Sequence, residues 1–168
     1  CWKELELSMT SPYSIYSANM VIIAEKILQR IETAPSDTFT IVPAFTAYGD
    51  QDRLPSTPAV CVEPGDKDRT LEGVPNMTLN EFTIFVMVYH NKVQDNQLTR
   101  RECDMLAYEI EAYLHEDLQL TLGDPAAPAL IHGFVRSNES GYSFKNGTLY
   151  RSARLTFYGK NKTSLADS

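Results

Sequence analysis

Between Leu79 and His90 the chain reads Leu-Asn-Glu-Phe-Thr-Ile-Phe-Val-Met-Val-Tyr-His, and this run restricts the fold more than any other. In an extended backbone, successive side chains point to opposite sides. Phe82, Ile84, Val86 and Val88 then share one face while Phe85, Met87 and Tyr89 share the other, so both faces are apolar. Such a strand belongs inside a sheet with cover on both sides. Its β-branched and aromatic content argues against a helix, and Pro75-Asn76 and Asn91-Lys92 bound it. The rest of the chain has to supply the cover.

Two amphipathic segments qualify. From Ile15 to Thr33 the positions Met20, Ile23, Ala24, Ile27, Leu28 and Ile31 recur at spacings of three and four, with Ser14 or Ser17 as N-cap and Ala34-Pro35 as the stop. A second helix is expected from Asp95 or Asn96 to about Asp117, burying Cys103, Leu106, Ala107, Ile110, Tyr113 and Leu114. At about 1.5 Å per residue it spans roughly 30 Å, against nearly 40 Å for the central strand, and covers most of it. Gly123-Asp124-Pro125 breaks the chain after it.

The remaining segments read as shorter strands. Thr38–Phe45 is β-prone with Ile41 and Val42 as its core residues, and Pro58–Glu63 is a compact apolar strand. Gly49–Ser56 and Lys67–Asn76 are expected to be two polar loops, the second reached through a Pro64-Gly65-Asp66 turn. Leu130–Val135 is a strand turned by Ser137–Gly141, and Asn146-Gly147 signals a type I′ hairpin into the last strand. In that strand Leu149, Ala153, Leu155 and Phe157 share a face with Arg151, and Tyr150, Ser152, Arg154, Thr156 and Tyr158 share the other. The predicted class is α+β: a mixed, mostly antiparallel sheet of about five strands with two helices packed on it, in the order α-β-β-β-α-β-β. Residues 1–14 are expected to form an arm, 15–159 one domain, and 160–168 a polar tail, with Met9-Thr10-Ser11 resembling a natural start.

No catalytic pattern emerges. There is no GxSxG, Walker A or GxGxxG sequence, and His90, His115 and His132 lack metal-ligand spacing, so they are read as hydrogen-bonded structural residues. Cys1, Cys61 and Cys103 fit neither a disulfide framework nor a zinc site; the latter two read as buried thiols. Glu109 with Glu111, and Asp66 with Asp68, read as solvated surface before paired catalytic carboxylates. Sequons at Asn76, Asn138, Asn146 and Asn161 read as chance in a chain whose opening shows no secretory pattern. Fifteen basic residues against 22 acidic ones give a net charge of -7, which opposes sequence-independent binding to a phosphate backbone even though Tyr150 and Tyr158 flank Arg154. With no apolar run near the roughly 18 residues of a membrane span, a soluble protein without membrane contact or cofactor is expected.

One resemblance goes further. The sequence Leu54-Pro55-Ser56-Thr57-Pro58-Ala59-Val60-Cys61-Val62-Glu63-Pro64-Gly65-Asp66, the long strand, and Leu114-His115-Glu116-Asp117 running into Leu120-Thr121-Leu122-Gly123 follow one another in order. Over about Ile15 to Tyr158 this resembles the tail terminator, or tail completion, proteins of long-tailed bacteriophages and the related head-tail neck proteins. The resemblance implies a virion component without enzymatic activity: a homo-oligomeric ring, usually of six subunits, that caps the tail tube and docks the head connector. Its implied partners are the tail tube protein, neck proteins, a tail sheath where the tail is contractile, and DNA sliding through the lumen unbound. The alternatives are a neck adaptor on the portal assembly and a small α/β enzyme. Expected interface residues are Asp50, Asp52 and Arg53 in the first polar loop, Asp66, Lys67, Asp68 and Arg69 in the second, and Arg151 and Arg154 on the last strand.

Overall fold

The computed structural model of the chain describes residues 20–71, 77–91, 96–120, 130 and 132–164. Among the described residues two helices, α1 (Met20–Glu32) and α2 (Asn96–His115), accompany five strands: β1 (Phe45–Tyr48), β2 (Ala59–Leu71), β3 (Met77–His90), β4 (His132–Lys145) and β5 (Thr148–Ser164). The strands form one sheet in the order β1-β2-β3-β5-β4, in which only the β1–β2 pair is parallel. This is the α+β class expected from the sequence, with the 79–90 run in the middle of the sheet.

Both helices lie on the same face. Helix α1 packs against β1 and β2, and α2 against β3, β5 and β4. Ile23, Ala24, Ile27 and Ile31 of α1 and Cys103, Leu106, Ala107, Ile110 and Leu114 of α2 meet Val60, Val62, Ile84, Val86, Val88, Leu155 and Phe157 in one core. Arg30 ties the helices together: its guanidinium lies 4.0 Å over the Tyr113 ring, donates to the Tyr113 carbonyl at 2.7 Å and sits 3.7 Å from the Asp117 carboxylate. Expected structural roles hold for two histidines: His90 pairs with Glu102 at 2.9 Å, and His115 Nε2 accepts the Val135 N–H at 2.9 Å. Cys61 and Cys103 are buried free thiols.

Cover on the second face is partial. Ala59, Cys61, Met87 and Tyr89 form a smaller cluster with Phe45, Leu54 and Tyr150, roofed by the 49–56 loop rather than by a helix. Further along β3, Phe85 is only half-buried. The two-sided cover predicted for the central strand is therefore complete on the helix face and confined to the His90 end on the other.

Four local expectations are corrected by tertiary pairing. Residues 38–44 are irregular, not a strand, because Thr38 N–H closes a turn on Pro35, the Thr40 N–H bonds the Glu109 carboxylate, and Pro43 has no N–H to offer a ladder. Phe39 fills the core there, edge-on to Tyr113 at 5.7 Å, and Val42 is 60% exposed. Pro64-Gly65-Asp66 is not a turn but a bulge within β2, so Lys67–Leu71 stays paired with β3 and is no loop. Pro64 is tolerated because β1 ends opposite Val62, leaving β2 an edge strand from there on. Gly65 is required by crowding: a Cβ there would stand 2.6 Å from Thr83 Oγ1 and 2.8 Å from the Phe85 ring. Ser137–Gly141 likewise continues β4 past a register shift at Val135/Ser137, and residues 160–164 prolong β5 against Met77–Glu81.

Asn146 and Gly147 both adopt positive φ (47° and 82°), the geometry of the expected type I′ hairpin. Residues 1–19, the 72–76 end of the second expected polar loop, and the expected Gly123-Asp124-Pro125 break lie outside the described residues.

Leu155 is wholly buried between α2 and the sheet. Leu155→Ala is expected to lower unfolding free energy by about 2–5 kcal/mol in urea titrations, and Leu155→Asp to abolish folding. Gly133 faces Gly159 across the β4–β5 ladder, and the Phe157 ring occupies the space of its missing side chain, 2.4 Å from where a Cβ would stand. Gly133→Ala therefore overpacks the core and is expected to cost about 1–3 kcal/mol by the same measurement.

Candidate interaction surfaces

The residues proposed from sequence fall into separate places. Asp50, Asp52 and Arg53 sit beside the His90 end of β3, where Tyr89 donates to Asp50 Oδ1 at 2.7 Å. Asp66, Lys67 and Asp68 lie in the bulge and the strand after it, with Asp68 paired to Glu81. Tyr89 and Glu81 are eight residues apart on β3, which separates the two groups by about 27 Å. Arg69 belongs to β2 opposite Asn80, but its side chain is outside the described residues. Arg151 and Arg154 sit on β5 opposite His90 and Met87.

Their chemistry differs as much as their position. Asp50 is committed to structure: besides Tyr89 it accepts the Lys145 ammonium at 2.8 Å, and that ammonium also bonds the Gln51 carbonyl and lies 4.7 Å over the Tyr89 ring. Lys145 comes from the hairpin tip, so this cluster locks the β4–β5 turn onto the 49–56 loop and closes the cover over Cys61 and Tyr89. Asp52 and Arg53 stay exposed at the loop crest. Arg154 is exposed on the face opposite α1 and α2, pairing with Glu139 at 3.0 Å and lying 5.0 Å over the Phe85 ring. On the same face Arg136 stacks at 4.5 Å on Tyr158, which in turn meets Phe134 at 5.6 Å. The result is a sheet face with alternating aromatic and charged groups, on which Arg154 pairs with Glu139 and Lys160 with Glu81 at 3.3 Å.

Two sheet edges lack a neighbouring strand among the described residues. Strand β4 borders the sheet for all fourteen of its residues. At the opposite border β1 covers only Ala59–Val62, leaving the outer edge of β2 from Glu63 to Leu71 without a neighbouring strand among the described residues. Backbone N–H and C=O groups along such edges are ready to pair with another chain.

Sequence reading missed Lys145 as the anchor of the loop and missed the exposed side chains of the hairpin, Tyr142, Phe144 and Leu149. The available signal was aromatic alternation immediately before Asn146-Gly147, past the reach of either helix. Glu109, read as solvated surface, accepts from both the N–H and the hydroxyl of Thr40. Among the described residues no three His, Cys, Asp or Glu side chains converge as a metal site would require, and no helix is long and apolar enough to cross a membrane. No protein-family model matches the chain, and no curated protein matches it.

Burial sets the protonation of this region. Desolvation pushes the Cys61 thiol up to about 11 and the Cys103 thiol to about 12 from an ordinary value of 9.0. It also raises the Tyr89 phenol well above 10.0, reinforced by the hydrogen bond to Asp50. The folded chain holds these protons where the unfolded chain releases them, so the contribution of these three groups to stability is fully present below about pH 9 and is lost as pH rises through the folded values. Urea midpoints measured from pH 7 to 11 are expected to fall above pH 9, with a shallower decline in Tyr89→Phe.

Proposed function

We propose that this chain is a non-catalytic assembly protein of the tail-terminator kind: a ring-forming virion component that caps the phage tail tube and joins it to the head connector. The observation that carries the reading is the pair of sheet edges, on opposite borders of one sheet, that have no neighbouring strand among the described residues. A contact joining one border to the other is heterologous, and heterologous contacts repeat from copy to copy, building a ring where the rotation between copies closes and an open filament where it does not. Edge addition through main-chain hydrogen bonds is one of the recurring ways proteins bind another strand.

The remaining surface suits the same role. The aromatic and charged groups of the face opposite the helices, Phe85, Arg154, Phe134 and Tyr158, offer a partly apolar surface to a tube or connector subunit. A net charge of -7 lets DNA pass through a lumen without being held by its phosphates. The order of elements and the Leu54–Asp66 segment carry the resemblance that names the assembly.

Light scattering on the purified chain is expected to give a mass several times its 18.9 kDa, and electron microscopy to show rings that sit on the ends of purified tail tubes. A chain that stays monomeric at all concentrations and leaves tube ends bare overturns the reading. Rings that bind the portal assembly and ignore tube ends assign the neck-adaptor role instead.

A further inference from the structure

Tyr142, Phe144 and Leu149 are 69%, 71% and 54% exposed, close together at the tip of the β4–β5 hairpin. Phe144 pairs directly with Leu149 and Tyr142 with Arg151, so these four side chains share one face. It is the helix face, because Ala153, Leu155 and Phe157 continue it along β5 into the core. The tip thus carries the core face outward beyond the cover of α2, as an apolar knob. Arg151 stands at its root, 4.5 Å over the Tyr142 ring and bonded to Ser140 Oγ at 3.0 Å; its buried Nε has no partner, and among the described residues it forms no ion pair.

At the other border of the sheet, between the end of α1 and β1, lies a hollow of about 310 Å³. Ile31, Ala34, Phe39, Val42 and Phe45 give it apolar walls. An apolar cavity of roughly 150 Å³ already admits benzene, so a phenylalanine side chain fits. Glu32 lines it with one carboxylate oxygen accepting the Thr46 hydroxyl at 2.8 Å, and Asp37, one residue beyond lining residue Ser36, is exposed.

We propose that the hairpin tip of one copy seats Phe144 in the α1–β1 hollow of a second copy, with Arg151 facing Glu32 and Asp37. The occupant is assigned to the same chain on three grounds. Knob and hollow match in apolar character, Arg151 beside the one is opposite in charge to Glu32 and Asp37 beside the other, and they occupy opposite borders of one sheet, so that the contact leaves each copy free to make it again on its other side. The inference rests on the ring reading above and names the contact that closes the ring.

The test uses a Cys1→Ser chain, whose remaining thiols are buried, carrying Val42→Cys and Phe144→Cys together. Mild oxidation is expected to yield a ladder of covalent oligomers ending in one closed species, with peptide mapping joining position 42 to position 144. Phe144→Asp and, from the other side, Val42→Asp are each expected to weaken self-association by roughly thirtyfold, the effect of losing a central anchor, with the far-ultraviolet circular dichroism of the dilute chain unchanged. Oligomers of the unaltered chain that withstand both substitutions and give no such crosslink overturn this contact and leave the ring reading standing. A bond between two Phe144→Cys copies overturns it by showing a two-fold interface. A chain that never associates removes both.

Discussion

Burial of the two-faced apolar strip on β3 is the constraint on which the rest of the structure depends. Ile84, Val86 and Val88 are wholly inaccessible, flanked by β2 on one side and β5 on the other and roofed by the helices. Each of those side chains contributes on the order of 1.5–3 kcal/mol by leaving water. Every long-range pairing in the sheet is built outward from this strand. Helix positions are then set by what they must cover: α2 over β3 and β5, and α1 over the β1–β2 border, with Arg30 bracing one against the other.

The strands are longer than the helices that cover them, and that mismatch shapes the surface. Where α2 stops, the sheet runs on as the β4–β5 hairpin with its core face exposed. On the side opposite the helices, the 49–56 loop covers one end among the described residues, held by Lys145, Asp50 and Tyr89. Beyond it the sheet shows Phe85, Arg154 and Tyr158 to solvent. Among the described residues the helix face is therefore closed over the middle of the sheet and exposed at the hairpin, while the second face is covered at one end.

Periodicity made both described helices, their buried stripes and the central strand legible, since each is a local pattern repeated many times. Asn146-Gly147 was equally legible, because a type I′ turn needs two residues that tolerate positive φ. Strand ends were not. Pro64-Gly65-Asp66 and Ser137–Gly141 have the composition of turns, yet each continues a strand as a bulge or a solvated edge, since a neighbouring strand supplied the hydrogen bonds that local propensity alone would not. Val42 failed as a core residue for the converse reason: Pro43 and the Glu109 carboxylate draw its segment out of the ladder, and Phe39 takes the buried place. The candidate surface was legible only as a set of charged residues. Asp50 proved to be a structural anchor, and the exposed aromatics before the hairpin were passed over because apolar residues in a strand are ordinarily assigned to a core.

By itself the sequence determined the class, the element order, which strand is central and which helix faces are apolar, because hydrophobic spacing encodes burial directly. Tertiary structure alone decided that both helices share one face, that β2, β4 and β5 run past their local stop signals, and that a knob and a hollow lie at opposite borders of the sheet. These depend on which strands become neighbours, and strand pairing joins residues as far apart as Met77 and Ser164, a separation that no local pattern records.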